Sequence, residues 1–327
     1  MAFYANHTLQ VSQADRYRFP STQFGYRISP NCSPYILQDF SQVLNRLMHL
    51  EAYCDGDSIA GTSIKEESAS SEPDLFQALF FPRSIAPRTP MKAVAATQMT
   101  EETLSAMWFR LVAHYFEWLT GISEIQYMAH EDKVRLVVCH LCKVVCLSVV
   151  YTNYTCKGSE QEDCLFFGSE FYWDPARSND PLMDEYCLEM KRTVNRILAP
   201  VKKFGMSREE FILIKLMILF DCTNLTGISD EGLEFARSMC NKYRATLSQL
   251  VRFHVEEMGV AEGWSGEQID RYSMEKLKCL LDVPMSIEVL GKLDDDSLAD
   301  MVENNYGGMR GILQQQIHTE SRKIRRF

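Results

Sequence analysis

Val134–Val150, VRLVVCHLCKVVCLSVV, is apolar almost all the way round and carries Arg135, His140 and Lys143 as its charged or ring-polar side chains. At 17 residues with three such interruptions it is short for a membrane span. A helix buried at the centre of a soluble protein fits better. Its middle, Cys139–Cys146, holds three of the chain's eleven cysteines and one histidine within eight residues. Three readings are open: a metal site, a redox pair, or a helix face that uses cysteine as a small apolar side chain. At about 100° per residue, Cys139, Cys142 and Cys146 fall within about 60° of one another, with His140 about 100° away from Cys139. A structural zinc needs four converging donors, and the sequence offers no second CxxC to complete the set. The spacing therefore favours core or pocket lining, where thiols are poorly reactive, and no metal or other cofactor is expected.

The 327 residues, 46% hydrophobic and 24% charged, suit a folded chain with a sizeable core. Thirty-four Lys+Arg against 44 Asp+Glu leave a net charge of −10, which disfavours a chain whose main task is gripping phosphate backbones. The N-terminus lacks the basic start and apolar run of a signal peptide, so the cysteines are expected as reduced thiols in the cytosol or nucleus.

Residues 1–33 show no period and read as a flexible, hinge-like lead-in. Ser33 and Pro34 then open an amphipathic helix with Leu37, Phe40, Val43, Leu44, Leu47 and Leu50 at three- and four-residue steps. Gly, Ser, acid and Pro make 55–90 a long surface loop. Thr100 with Glu101 and Glu102 starts a helix whose stripe is Leu104, Met107, Trp108, Leu111, Tyr115 and Trp118. CLFFGSEFYW, 164–173, reads as one small hairpin. Three more helices are expected: 184–198 ending before Pro200, one capped by Ser207, and one opened by Ser229 and closed by Gly259. A last helix runs from about Ser265 to Leu290 with a kink at Pro284. The acidic triplet 294–296 then reads as a solvated helix end. The fold class is all-α, with nine or ten helices and one small β-hairpin.

Several of these pieces together resemble the ligand-binding domain of nuclear hormone receptors, especially the expanded nematode type. YFEWLTGISEIQYMAHEDKVRLVVCHLCKVVCL, 115–147, is similar to the family signature, with Phe116, Trp118, Ile122, Ile125 and Met128 followed by Glu131–Asp132–Lys133. SREEFILIKLMILFDC and GISDEGLEFARSMCNKY resemble the eighth and ninth helices, and YILQDFSQVLNRLMHLEAYC the first. The resemblance covers about 34–290 and implies a three-layer α-helical sandwich, so 34–327 is taken as the domain. Before residue 139 the chain has Cys32 and Cys54 alone, so the family's paired four-cysteine zinc modules cannot be built there, and no direct DNA contact by this chain is expected.

The resemblance also implies sites. Ligand walls would be Leu104, Met107, Trp108 and Leu111, then Cys142, Val145, Cys146 and Val149, with Phe166 and Phe167 closing one end. The bulk of Met107 and Trp108 leaves a core filled by its own side chains as the alternative. Thr152 stands where acid-binding members place an Arg, which favours a neutral lipophile. A co-regulator helix would bind a groove formed by Thr120, Ile125, Val138, Ile312 and Leu313. Members clamp such a helix between a Lys and a terminal-helix Glu; here the Lys position reads Thr120, and 307–320 has Gln where the acid belongs. The function implied is a regulatory domain that senses a lipophilic molecule and recruits co-regulators. The rival is a ligand-independent dimerising module with a self-filled pocket. Expected partners are a lipophile, a co-regulator helix peptide and a second receptor chain as homo- or heterodimer, in the nucleus and also the cytoplasm, with no membrane. Glu210 is expected to pair with Arg271. IKEE, 64–67, fits a short sumoylation pattern, and the basic tail SRKIRRF reads as a solvated terminus. No nucleophile elbow, HExxH, phosphate loop or dinucleotide fingerprint is present, so no enzyme is expected.

Overall fold

Five of the helices begin where a short polar side chain meets an apolar period. Ser207 and Glu210 form a reciprocal capping box at the start of α6 (Arg208–Leu219), and Ser265 with Gln268 does the same for α8 (Gly266–Glu303). Ser229 caps α7 (Asp230–Glu262) through the Gly232 N–H, and Thr100 with Thr103 closes the box before α3 (Glu101–Thr120). Asp180 accepts from the N–H groups of Leu182 and Met183, with Pro181 at the first position of α5 (Pro181–Phe204). The remaining helices are α1 (Pro34–Asp55), the short α2 (Leu75–Phe80), α4 (His130–Thr155) and the single turn α9 (Ile312–Gln314), which continues as a π-helical turn over Gln315–Thr319.

The structure is a computed structural model that describes residues 34–56, 73–156, 163–223 and 225–319, with side chains from Ser41 onward. The lead-in 1–33, the IKEE motif and the basic tail lie outside the described residues. Residues 1–43 and 44–327 separate into two units. The described element of the first is the start of α1; the second holds the rest of α1 and every later element.

Helix α4 is the middle layer, packed by α3, α5, α6 and α8 and by strand β2 (Leu165–Gly168). It is long and apolar enough to cross a membrane, but 78% of its apolar window is buried inside the protein. The second strand of the hairpin is β3 (Phe171–Trp173); its free edge takes a third, parallel strand, β1 (Thr97–Gln98), so the order is β1-β3-β2. The tip needs positive φ at both Gly168 (+91°) and Ser169 (+57°). A buried ionic network ties α1, α3 and α6 together. Lys215 Nζ lies 2.8 Å from Glu51 Oε1, with both side chains at most 2% exposed, and 4.2 Å from the Trp118 ring centroid. Arg208 joins from the rim to Glu51 at 3.1 Å and to Asp55, which also meets His114 Nε2 at 3.2 Å.

Several boundaries differ from the sequence reading. The 55–90 loop contains α2 and a 3-10 turn, Pro82–Ser84. Helix α5 runs through Pro200 to Phe204, because Pro200 sits on the exposed side of the last turns where the carbonyl left without a donor meets water. Helix α7 passes Gly259 and is closed by Gly263 at φ +72°. Gly259 serves packing instead, since a Cβ there would lie 2.6 Å from Ile269 Cγ1. Helix α8 continues 13 residues past Leu290, carrying Leu280, Val283, Ile287 and Leu290 inward on both sides of Pro284. Asp294–Asp296 are therefore inside a helix, and Asp294 and Asp295 are buried. Gly291 brings α8 onto α4, where an added Cβ would meet Lys143 Cγ at 2.8 Å and its Cα at 3.0 Å. Glu210 pairs with Lys276 at 2.9 Å and His254 at 3.4 Å, not with Arg271; these partners outweigh the burial that would raise its carboxyl, and hold it low.

Candidate functional site

Helices α3, α4, α5 and α8 converge on a small interior cavity closed at one side by β2. Eight of the ten expected wall residues line it: Met107, Trp108, Leu111, Cys142, Val145, Cys146, Val149 and Phe167. The open space is about 20 Å³, counted for the centre of a water-sized sphere, which is room for little more than a water. Leu104 is not among the walls; it is fully buried against Gly307 in the Tyr306–Gly308 turn. Phe166 is not either, because neighbours on a strand face opposite ways. It packs with Cys164 and Tyr172 on the far side, its ring 6.3 Å from that of Tyr172.

Val112 of α3, Leu141 of α4, Tyr186 and Met190 of α5 and Asp294 and Leu298 of α8 complete the lining. Beside them runs a buried polar chain that reaches the terminal segment. Trp108 Nε1–H donates to His318 Nε2 at 2.7 Å. Indole nitrogen is donor only, so Nε2 is the accepting nitrogen and the imidazole proton sits on Nδ1, donated to Asp295 Oδ1 at 2.7 Å. The Cys142 thiol donates to the same oxygen at 3.5 Å. Tyr186 OH donates to Asp294 Oδ1 at 2.7 Å. Burial holds the Asp294 carboxyl above the usual carboxylate range despite that bond. Burial also pushes the Cys146 thiol well up, with Asp294 beside it adding to the shift.

Cys142, Asp295 and His318 bring one donor atom each within 4.8 Å of one another, the geometry of three metal ligands. The chemistry of the set argues for hydrogen bonding. A cation would have to take Nδ1, which would move the ring proton to Nε2 and set it against the Trp108 N–H at 2.7 Å. Cys139 and His140, in the first half of the 139–146 stretch, are buried; His140 Nδ1 meets the Leu136 carbonyl at 2.8 Å, and burial pulls its pKa down to about 3. All ten described cysteines are free thiols.

The five expected groove residues divide. Thr120 is exposed at the end of α3 and donates to its own helix at the Glu117 carbonyl, and Ile312 is 47% exposed. Ile125, Val138 and Leu313 are buried in the core. The terminal segment buries Leu313, Ile317 and His318 and packs on α8. Helix α2 packs on this face against α3 and α9, and Gln316 Oε1 accepts the Leu75 N–H at 2.8 Å.

A three-layer helical sandwich around an apolar central helix, with one small sheet and a terminal segment closing the interior, defines a ligand-binding regulatory domain. The family model described as the ligand-binding domain of nuclear hormone receptors matches residues 91–286, more than half of the chain. The chain belongs to that family, a family of receptors that regulate transcription. A curated relative, nuclear hormone receptor family member nhr-4 of Caenorhabditis elegans, is 24% identical over 168 residues, 51% of this chain and 32% of that protein. The matched segment thus spans about a third of the relative's length.

Proposed function

We infer that this domain regulates transcription through protein contacts, with an interior filled by its own side chains. The observation that carries this reading is the size of the cavity: about 20 Å³ of open space, against roughly 300–1,000 Å³ for pockets that hold small ligands. Trp108 occupies the place a ligand would need, and its hydrogen bond to His318 fastens the terminal segment closed from within. Co-regulator helices are read at the surface between the end of α3 and Ile312, and the nucleus is the working compartment, with a cytoplasmic pool. Met274, Met285 and Val289 are 64–73% exposed on one face of α8 and support pairing with a second receptor chain.

The Cys142–Asp295–His318 cluster does not support catalysis. Both imidazole nitrogens are committed, to Trp108 and to Asp295, so no free imidazole nitrogen faces the thiol. A second reading, sensing of a neutral lipophile, is favoured by the flexible walls Met107 and Met190 and by Thr152 standing in place of a carboxylate-binding Arg. It requires Trp108 and His318 to leave the interior. Native mass spectrometry of the purified protein, before and after exposure to mixed neutral lipids, separates the two. Ligand-free mass throughout is expected; a stoichiometric lipid adduct would overturn the self-filled reading.

A further inference from the structure

Helix α2 has six residues, too few to be stable alone, so it exists because of what it docks on. Its inner face is Leu75, Ala78 and Leu79, at i, i+3 and i+4, with Ala78 fully buried and both leucines partly so. Its outer face is Phe76 and Phe80, their rings tilted at 45° with centroids 4.7 Å apart, and 59% and 48% exposed. At one end the Leu75 N–H is taken by Gln316 of the terminal segment. Alongside, Phe76 comes within 6.4 Å of the His130 ring at the start of α4. At the other end the Pro82–Ser84 turn continues along α3, and Arg83 pairs with Glu117 at 3.3 Å, one turn before Thr120.

The helix therefore spans from the terminal segment toward the end of α3, the surface assigned to co-regulator helices, and this inference rests on that assignment. We propose that α2 is a built-in occupant of the groove, so that a partner's helix binds only by displacing it. The partner is a short amphipathic helix with apolar residues at i, i+3 and i+4, whose first free N–H replaces that of Leu75 on Gln316. The hold on α2 is weak by construction: one fully buried alanine, two half-buried leucines and one bond to a neutral amide. It competes because it is tethered, at an effective concentration on the order of millimolar.

The test uses the full chain with Leu75→Asp and Leu79→Asp together, and Gln77→Pro as a second release variant. Hydrogen exchange should speed at 75–81 and stay unchanged in α3 to α8. A labelled peptide of the chain's own residues 73–82, PDLFQALFFP, is then titrated by anisotropy. It should bind both release variants at least tenfold more tightly than the wild type, and its Leu79→Asp version should not bind. A generic helical peptide with leucines at i, i+3 and i+4 should compete and show the same gain. Equal binding of the 73–82 peptide to all proteins, or no binding to the released ones, overturns the proposal. If the leucine peptide binds wild type and variants alike, self-occupancy fails while the co-regulator reading stands. If the 73–82 peptide shows its gain and no leucine-patterned helix binds, self-occupancy stands and the co-regulator reading falls.

Discussion

The chain fills two recesses with its own parts, one inside and one outside, and it does so by opposite means. Inside, Trp108 and His318 are nearly or fully inaccessible, and every hydrogen bond between them and Asp295 is 2.7 Å long and out of reach of water. Outside, α2 lies over its recess with its rings facing solvent and a single bond across to the terminal segment. Gln316 holds the outer cover and His318, two residues on, anchors the inner one. A buried polar chain is costly to break because each freed group is stranded; an exposed one re-bonds to water. On the reading proposed above, the inner filling is a permanent part of the core, and the outer cover is exchangeable.

The largest effect tests the inner side. Trp108→Ala should cost about 3–5 kcal/mol in urea unfolding, through lost packing and a stranded His318 nitrogen. The cavity it leaves should take up indole, raising the melting temperature of the variant and not of the wild type. No rescue by indole would mean the interior collapses instead of staying shaped. Next, His318→Leu should lose about 2–3 kcal/mol by leaving the indole N–H without its acceptor and removing the ring N–H from Asp295. It should also free residues 312–319 in hydrogen exchange while α2 loosens with them; an unchanged exchange pattern would separate the two covers.

A third experiment reads pH. Because burial raises the Asp294 carboxyl in the folded state, its contribution is complete below the unfolded carboxyl pKa, about 4. It is then lost as pH rises through the folded value. Asp294→Asn keeps an acceptor for Tyr186 and removes the titration, so it should be the more stable protein at pH 7, with the advantage disappearing below about pH 4. A constant difference across that window would place the cost elsewhere. The smallest effect belongs to the outer cover. Gln316→Glu puts a negative charge at the N-terminus of α2, worth about 0.3–1 kcal/mol, so exchange of 75–81 should slow about two- to fivefold, and salt should erase the gain.

The same contrast explains which features were legible in the sequence. Ser207, Ser229 and the Thr100 start were readable because a cap and its apolar period lie within a few residues of each other. The walls on α3 and α4 came from a family resemblance laid over that period, and the sequence separation of their partners did not matter. Phe166 faces away from the cavity that Phe167 lines, because adjacent strand residues point to opposite faces, and the run of two phenylalanines carries no mark of which one turns inward. Asp294 and Asp295 read as solvated because acids end a hydropathy run, yet the spacing Leu290, Asp294, Leu298 continues the buried stripe through them. His318 had no local signal, since its partners are 23 and 210 residues away. Helix α2 had none either: six residues between polar and proline-rich stretches are shorter than any period a sequence scan can weigh.

Gly291 gives the inner filling its tolerance. With no side chain there, α8 rests almost backbone to backbone on Lys143, and Asp295 follows one turn later, on the same face of the same rod. That contact is a fulcrum. A methyl group at 291 would press on the Lys143 backbone, so α8 would have to shift beside Asp295. The hold on His318 is thereby set by the missing side chain of a residue one turn before its partner Asp295.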